Sequence, residues 1–445
     1  MGENKQVHEH KFASRWGFIL ASVGSAVGMA NVWGFPNKLG MNGGGAFLLI
    51  YLFFVCLFSY VGLPSEFAIG RRSKTGAVGS YNLAWSSRNK KLGKMGELIA
   101  CLPLIGSLCI AVGYAVIVAY TLKALVSSLN GSLMSVDPGV WFDSFALNEY
   151  SVVIFHIIIV VITLLTLFLG AKSIEKSNKV MMPVFFIIFM VLAVRVAFLP
   201  NAIEGYKFML IPRWEALKSP MVWIAAMGQA FFSLSITGGN MITYGAYLDD
   251  KEDIMSVSRH TALFDTLAAF VASMVIIPAC FSYGLDVASG PGLLFVALPT
   301  ILQDIPMGQI FAIILYVAMI FAGISSLQNM FEAVCESSMH KFPNLRRNLI
   351  LLVLCVICLG FGINMEAIFS WGPWMDFVSI YIIPIGAMIG ASTWFWFMKK
   401  EVIIDEINKH KQCVNPKVWH FVGRYIYVPI TIILCLIAVS MKIAF

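Results

Sequence analysis

The stretch Gly24-Ser-Ala-Val-Gly28-Met-Ala-Asn31-Val-Trp-Gly34-Phe-Pro36 lies inside the first long apolar segment of the chain. Glycine, asparagine and proline are poor residues for a helix interior, and here they are concentrated at the depth where a membrane helix has no water. Backbone groups that leave a helix cannot face lipid, and they are tolerated only where they line a cavity or bind a ligand. The stretch therefore predicts a membrane-spanning helix that is broken around Gly28–Pro36 to hold a small solute and a cation.

A second stretch of the same character, Ser233-Leu-Ser235-Ile-Thr-Gly238-Gly239-Asn240, lies in the sixth apolar segment. The two stretches open two successive blocks of five spans, and because five is an odd number the second block runs with inverted topology. Broken helices at matching positions of inverted halves indicate a transporter's binding site. The alternative is a Gly24-xxx-Gly28 packing motif and a simple kink at Gly238-Gly239. It explains either stretch alone better than it explains the pair.

The composition indicates a protein embedded in lipid. Of the 445 residues 59% are hydrophobic and 12% are charged, whereas about a quarter of the residues of a soluble protein are charged. A membrane helix needs roughly 20 apolar residues. The apolar runs predict an all-α membrane protein with eleven spans, at 14–38, 44–70, 97–127, 150–170, 176–199, 221–248, 260–284, 308–338, 347–363, 374–398 and 418–443.

We expect these spans to form a single transmembrane transporter domain over residues 1–445. The inverted repeats would cover approximately 14–199 and 221–398, followed by an extra helix at 418–443.

The charge distribution predicts how the chain is oriented. Lys and Arg cluster in alternate loops, whereas the loops between them at 128–149, 285–307 and 364–373 contain neither. Basic loops stay in the cytoplasm, so we expect a multi-pass protein of the plasma or inner membrane with its N-terminus in the cytoplasm and its C-terminus outside. The basic loop 200–220 is predicted to be external and departs from the pattern, but it also carries acidic residues that can pair with its cations.

Several polar side chains lie within the predicted spans, where a polar group is costly and is therefore a candidate for function. They supply hydroxyl, amide and carboxylate oxygens that suit a sodium ion: Asn31, Ser233, Ser235, Thr237, Asp265, Ser325 and Ser326. Glu66 is another carboxylate within a predicted span. Structural roles stay open for some. Asp265 can lie at a wet helix end, Glu66 can anchor a helix at the interface, and the two adjacent serines can bond back to the preceding turn. No metal-binding histidine spacing, nucleophile elbow or phosphate-binding loop indicates an enzyme.

Four motifs carry a family resemblance: Asn31-Val-Trp-Gly-Phe-Pro36, Asn42-Gly-Gly-Gly-Ala-Phe47, Gly228-Gln-Ala-Phe-Phe-Ser-Leu-Ser235 and Phe321-Ala-Gly-Ile-Ser-Ser326. In this order, and over nearly the whole chain, they resemble the neurotransmitter:sodium symporter family. The short termini and eleven spans are similar to its prokaryotic amino-acid transporters, which have the LeuT-type fold of five plus five inverted helices with spans 1 and 6 broken.

The resemblance implies two sodium ions and one amino acid. The first sodium site would use Ala26, Asn31, Ser233 and Asp265, and the second would use Gly24, Val27, Ala322, Ser325 and Ser326. The substrate would lie between the two breaks and contact Ala26, Gly28, Met29, Ala30, Ile110, Tyr114, Phe232, Ser233, Ser235, Ile236, Gly238, Ser326 and Met330. Phe232 would act as a lid.

This sequence departs from the family pattern at both gates. Gly34 stands where the family has an arginine, so the usual outer ion pair with Asp376 cannot form, and outer closure would rest on Phe232, Tyr114 and Trp33. On the inner side, His340 and Phe12 replace the usual acid and tryptophan.

Three further residues bear on the ligands. Asp265 and Glu66 carry fixed negative charge that could replace chloride, so we expect no chloride requirement. Gly238 replaces a bulky pocket residue and argues for a larger, aromatic side chain in the substrate, although Met330 or Ile236 could refill the space.

The resemblance implies sodium-coupled symport of a hydrophobic or aromatic L-amino acid by alternating access. Two alternatives remain: proton-coupled transport in the same fold, and a solute receptor that does not transport. We expect a monomer or weak dimer in the lipid bilayer, with no nucleic-acid partner.

Overall fold

The computed structural model describes residues 14–168, 170–410 and 415–443, and every regular element in these ranges is a helix. Helices long and apolar enough to cross a membrane are found at Gly45–Ser73, Lys90–Leu129, Ala171–Ala197, Ile254–Tyr283, Gly308–Lys341, Arg347–Met365, Ile368–Phe397 and Pro416–Met441. A further span is the bent pair Arg15–Ala26 and Ala30–Met41, whose two parts meet at 55°.

The two remaining predicted spans are also helical, in shorter pieces. The fourth contains the apolar helix Val153–Thr166, and the sixth is divided into Pro220–Ser233 and Asn240–Tyr247. Each predicted span therefore contains either one helix or a broken pair, which confirms the prediction of an all-α protein with broken first and sixth spans.

Short helices connect the spans at Ala77–Ser86, Pro138–Ala146, Ala202–Leu210, Leu293–Asp304 and Lys400–Ile407. The loop that breaks the charge pattern pairs part of its charge, since Lys207 Nζ lies 2.7 Å from Glu204 Oε1. Arg213 in the same loop stacks over the ring of Phe208 at 4.7 Å.

Wide π-helical turns occur just before prolines in several helices. The turns Ala30–Gly34, Phe58–Gly62, Leu293–Ala297, Val378–Ile382 and Gly423–Tyr427 each end two residues before a proline. Proline has no N–H to donate, and its ring collides with a carbonyl of the preceding turn. A wider turn relieves that collision while keeping the backbone hydrogen-bonded. The first of these turns directly follows the break in the first span and so sets the direction of its second half.

Each break leaves helical geometry at a defined place. In the first span Val27 adopts an extended conformation with ψ 113°. In the sixth span Ser235 and Gly238 have positive φ angles of 54° and 78°. The freed backbone groups of Gly238 are satisfied from other spans, because its N–H donates to Glu66 Oε1 at 2.8 Å and its carbonyl accepts from Tyr81 Oη at 3.0 Å.

Candidate functional site

The break in the first span is held open by two side chains. The N–H of Gly28 donates to Asn31 Oδ1 at 2.9 Å, and the N–H of Met29 donates to Tyr114 Oη at 2.6 Å on the third span. Gly28 leaves no room for a side chain, because a Cβ there would overlap Ser326 Oγ and Tyr114 Oη. The glycine therefore allows the third and eighth spans to approach the broken backbone.

Asn31, Ser233 and Asp265 form one buried cluster that joins the two breaks to the seventh span. Asn31 Nδ2 donates to Asp265 Oδ1 at 2.7 Å, and to the Asp265 carbonyl and Ser233 Oγ at 3.1 Å each. Ser233 Oγ lies 2.9 and 2.8 Å from the two carboxylate oxygens of Asp265. All three residues have 0% exposure. Three oxygens from two spans thus converge on a single amide nitrogen.

A second group of oxygens lies on the other side of the first break. Ser325 Oγ and Ser326 Oγ approach the carbonyl of Val27 at 3.5 and 3.4 Å, and Ser325 Oγ also donates to the Ala322 carbonyl at 2.9 Å. Gly24 borders the same group, because a Cβ on it would lie 3.3 Å from Ser325 Cβ. All residues predicted for the second sodium site therefore belong to one neighbourhood.

A small cavity of about 20 Å³ lies between the two breaks. Its lining includes nine of the residues predicted to contact a substrate: Ala26, Gly28, Ala30, Ile110, Tyr114, Phe232, Ser235, Ser326 and Met330. Ser25, Thr237 and Asn240 complete the lining, although the family resemblance did not assign them. The sequence did mark the hydroxyl of Thr237 and the polar end of the sixth-span break, but not the direction in which these side chains point.

Four other residues predicted to contact the substrate lie beside the cavity rather than in its lining: Met29, Ser233, Ile236 and Gly238. Met29 contributes its backbone N–H to Tyr114, and Ser233 turns toward Asp265. Ile236 packs toward Gly62, since a Cβ on that glycine would lie 3.2 Å from Ile236 Cδ1.

Gly238 does not enlarge the cavity, which corrects the expectation from the sequence. A Cβ on Gly238 would lie 2.6 Å from the Gly386 carbonyl and 2.9 Å from Tyr81 Oη, so this position faces the tenth span. With φ at 78°, it also needs a conformation that other residues rarely adopt. The glycine serves the break and the packing of the tenth span, and its identity says nothing about substrate size.

A larger cavity of about 170 Å³, here called the vestibule, adjoins the small one. Ala30, Tyr114 and Phe232 line both cavities and separate them. Trp33 packs edge-on against Trp371 across the vestibule with ring centroids 6.0 Å apart.

Gly34 leaves the vestibule open, since the nearest described atom to a Cβ there is Gln229 Oε1 at 3.7 Å. One turn further along the same helix, Lys38 also lines the vestibule, and its buried Nζ has no hydrogen-bond partner in the part of the chain that the structure describes. Lys38 is not among the residues expected at the site, although it lies four residues after Gly34 and therefore on the same face of the helix.

At the end of the molecule opposite the vestibule, charged groups connect the spans. Arg15, at the start of the first span, contacts Glu252 at 3.5 Å and donates to Ser256 Oγ at 2.7 Å. Deeper inside, Glu332 is fully buried, forms an ion pair with Arg347 and accepts from Tyr247 Oη at 2.5 Å. Among the residues that replace the usual inner gate, His340 lies near Gly79, and Phe12 falls outside the described residues.

A multi-pass helical protein in which two broken spans enclose a small cavity has the architecture of a membrane transporter. Comparison with known proteins identifies its family. The sequence model of the sodium:neurotransmitter symporter family matches residues 9–152 and 142–444. The chain belongs to this family, whose members are transporters and not enzymes.

Similar proteins agree with this assignment. An uncharacterised sodium-dependent transporter of Bacillus subtilis (strain 168) is 31% identical over 98% of each chain. One of Methanocaldococcus jannaschii is also 31% identical, over 91% of this chain and 85% of its own. The crystal structure of MhsT in complex with L-phenylalanine is 32% identical, covers 97% of this chain and 99% of its own, and superposes with a TM-score of 0.87. This similarity confirms the LeuT-type fold.

Proposed function

We propose that the protein imports a hydrophobic or aromatic L-amino acid together with two sodium ions. Its family and its sodium-dependent relatives support the use of sodium. The observation that carries the proposal is the cluster of Asn31, Ser233 and Asp265, which joins both breaks through a buried carboxylate. The oxygens that now surround the amide nitrogen of Asn31 are the donor set that a sodium ion takes, and a small rearrangement of that amide would admit the ion.

The second sodium ion would lie among the carbonyls of Gly24, Val27 and Ala322 and the hydroxyls of Ser325 and Ser326. Neutral oxygens from unwound backbone and from hydroxyls are the ligands that sodium finds in broken spans. This site connects the first span to the eighth, whereas the Asp265 site connects it to the sixth and seventh. Two ions would therefore hold the first span against the eighth span at one site and against the sixth and seventh spans at the other.

The amino acid would occupy the cavity between the breaks. In this conformation that cavity of about 20 Å³ has room for about one water molecule, so substrate entry requires the broken spans to separate. The carboxylate would meet the backbone N–H groups near Gly28 and the hydroxyl of Tyr114, and the amino group would meet oxygens near Ser25 and Ser235. Because sodium bound next to the substrate stabilises the substrate and is stabilised by it, the sodium gradient can drive uptake.

Two observations favour an apolar side chain. The cavity lining includes Ile110, Phe232 and Met330, which offer apolar surface and, in methionine, an adaptable side chain. MhsT, whose fold is similar, was crystallised with L-phenylalanine. We therefore propose an aromatic or large aliphatic L-amino acid, on grounds that are independent of Gly238.

We also propose that chloride is not required, because Asp265 and Glu66 supply buried negative charge near the two breaks. In keeping with the positive-inside pattern, the N-terminus and the Arg15 end would be cytoplasmic, the vestibule and the C-terminus would be outside, and the protein would act as a monomer or weak dimer. The inverted repeats would span approximately 14–199 and 221–398 within one domain.

Binding and counterflow measurements test this proposal. Purified protein is screened by thermal shift against the twenty amino acids in sodium, potassium or choline chloride, and the best ligand is used for counterflow in proteoliposomes. We expect stabilisation by aromatic or large aliphatic amino acids in sodium alone, and exchange of labelled substrate. Stabilisation without sodium would contradict the coupling and favour a proton-coupled transporter. Binding without exchange would identify a receptor.

A further inference from the structure

Asn178 is a buried residue of the fifth span whose side-chain oxygen has no partner. The residue has 0% exposure, and Oδ1 forms no hydrogen bond within the described ranges. Its amide nitrogen, in contrast, donates to the Ile174 carbonyl and to Gln328 Oε1, each at 3.0 Å.

The orientation of this amide follows from the surrounding network. Gln328 Nε2 donates to Thr166 Oγ1 at 2.7 Å and to Ser177 Oγ at 3.0 Å. Both hydroxyls donate their own hydrogens to backbone carbonyls, so they can only accept a hydrogen bond from Gln328. The oxygen of Gln328 must therefore face Asn178 and must receive its nitrogen. A reversed Asn178 amide would place two acceptors against each other twice, at Gln328 and at the Ile174 carbonyl.

With its nitrogen fixed in this way, the oxygen of Asn178 is directed at the first span. A Cβ on Gly24 would overlap Asn178 Oδ1, so the oxygen lies directly against the backbone of Gly24. Ser325 borders the same glycine from the eighth span. Asn178 and Ser325 thus approach from two different spans the backbone position whose carbonyl is proposed for the second sodium ion.

A buried oxygen without a donor has lost its hydrogen bonds to water and gained none in return, and such groups in native proteins call for an explanation. A cation removes the cost where a hydrogen-bond donor is missing. We propose that Asn178 Oδ1 is an additional oxygen of the second sodium site, so that the ion also binds the fifth span. The inference rests on the proposed function, because it adds a residue to a site proposed there.

The consequence is mechanical. The first and eighth spans already meet at this site, and a ligand from the fifth span places a third helix on the same ion. Loss of sodium would release the first span from the fifth as well as from the eighth. A polar group at 178 therefore contributes to ion affinity and to ion selectivity without contacting the amino acid.

The test measures sodium binding by thermal shift and by the sodium concentration that gives half-maximal substrate binding. Asn178→Ala removes the oxygen, Asn178→Asp keeps an oxygen there, and Ser177→Ala is the matched control from the same network on the neighbouring residue. We expect Asn178→Ala to raise the half-maximal sodium concentration at least fivefold and to reduce the preference for sodium over lithium. Ser177→Ala should change either quantity less than twofold. Asn178→Asp at pH 8 should have a lower melting temperature, because its second oxygen faces the acceptors of Gln328 and Ile174, but the folded variant should keep the parent's sodium affinity within twofold.

Two results overturn the inference. One is an Asn178→Ala protein that keeps the parent's sodium affinity and lithium discrimination. The other result concerns the case in which Asn178→Ala does not fold, and it is then measured on Asn178→Asp. A fivefold loss of sodium affinity in a folded Asn178→Asp protein would show that only the amide nitrogen matters. Sodium-independent substrate binding by the parent protein would instead contradict the proposed function itself, so the two failures are distinguishable.

Discussion

Asn31 Nδ2 donates a hydrogen bond of 2.7 Å to Asp265 Oδ1, and this contact ties the break in the first span to the seventh span. Ser233, from the break in the sixth span, lies within hydrogen-bond distance of both oxygens of the same carboxylate. One buried acid thus holds the two broken helices together, and the groups that donate to it from the two breaks, an amide and a hydroxyl, are neutral. A buried anion of this kind is costly unless a cation joins it.

Asp265→Asn removes this charge with little change in shape. We expect substrate binding to become dependent on chloride, because a mobile anion can then supply the negative charge that the parent carries permanently. The measurement is sodium-dependent uptake or binding of the identified amino acid in sodium chloride against sodium gluconate. The parent protein should bind equally in both salts, and the variant at least tenfold more weakly in gluconate.

Asp304→Asn is the control for this prediction, since Asp304 is an exposed acid outside the cluster. It should behave like the parent in both salts. An Asp265→Asn protein that loses binding in both salts alike would mean that the carboxylate serves as a sodium ligand without standing in for chloride.

Gly28→Ala tests whether the break in the first span needs a residue without a side chain. The new methyl group would overlap Ser326 Oγ and Tyr114 Oη, and overpacking a buried site costs about 1–3 kcal/mol. We expect loss of amino-acid binding of at least tenfold, measured by thermal shift with ligand, because the displaced hydroxyls line the cavity. The control is Gly360→Ala, where no described atom outside the backbone of its own helix lies within 4 Å of the added methyl group. Equal binding by both variants would contradict the site's location.

The broken spans could be predicted from the sequence because their cause is local. Gly28, Pro36 and Gly238 disfavour a continuous helix by their own chemistry, whatever surrounds them. Their partners could not be predicted from local chemistry. The acceptor for the Met29 N–H is Tyr114, 85 residues away, and the orientation of Asn178 depends on Gln328, 150 residues away.

The prediction for Gly238 failed because it too depended on a distant span. Its position in the break was correctly expected, but the direction of its missing side chain depends on the tenth span, which lies against it. Lys38 could not be predicted as a vestibule residue for a related reason. A lysine near a helix end usually reaches water, and only the packing of the spans shows that its ammonium nitrogen is buried beside the vestibule. The position of a helix break follows from the residues at the break, whereas the residues that line a cavity depend on contacts between distant spans.

Glu332→Gln should destabilise the closed end of the molecule. The carboxylate is fully buried and pairs with Arg347, and removing one partner of a buried ion pair costs about 3–5 kcal/mol because the other charge stays behind. We expect a clear drop in the melting temperature in detergent. The double variant Glu332→Met with Arg347→Met should recover much of the loss. Equal destabilisation by the single and double variants would show that packing, and not the unpaired charge, is responsible.

Gly34→Arg tests how the vestibule closes in a chain without the family's arginine. The side chain fits, since the nearest described atom to its Cβ is 3.7 Å away. It would face the tenth-span wall formed by Met375 and Ser379, next to the exposed Asp376. An exposed ion pair contributes about 0.2–1 kcal/mol, so we expect bound amino acid to dissociate up to about fivefold more slowly, as followed by release of labelled substrate from sodium-loaded protein.

Two further variants separate charge from bulk in this experiment. Adding Asp376→Asn to Gly34→Arg should restore the parent's dissociation rate, and Gly34→Gln, which adds bulk without charge, should leave that rate unchanged. Slow release that survives in the double variant would mean that the side chain at 34 acts by blocking the vestibule. Unchanged release in Gly34→Arg itself would mean that Phe232, Tyr114 and Trp33 already limit the exit, and that an ion pair above them adds nothing in this transporter.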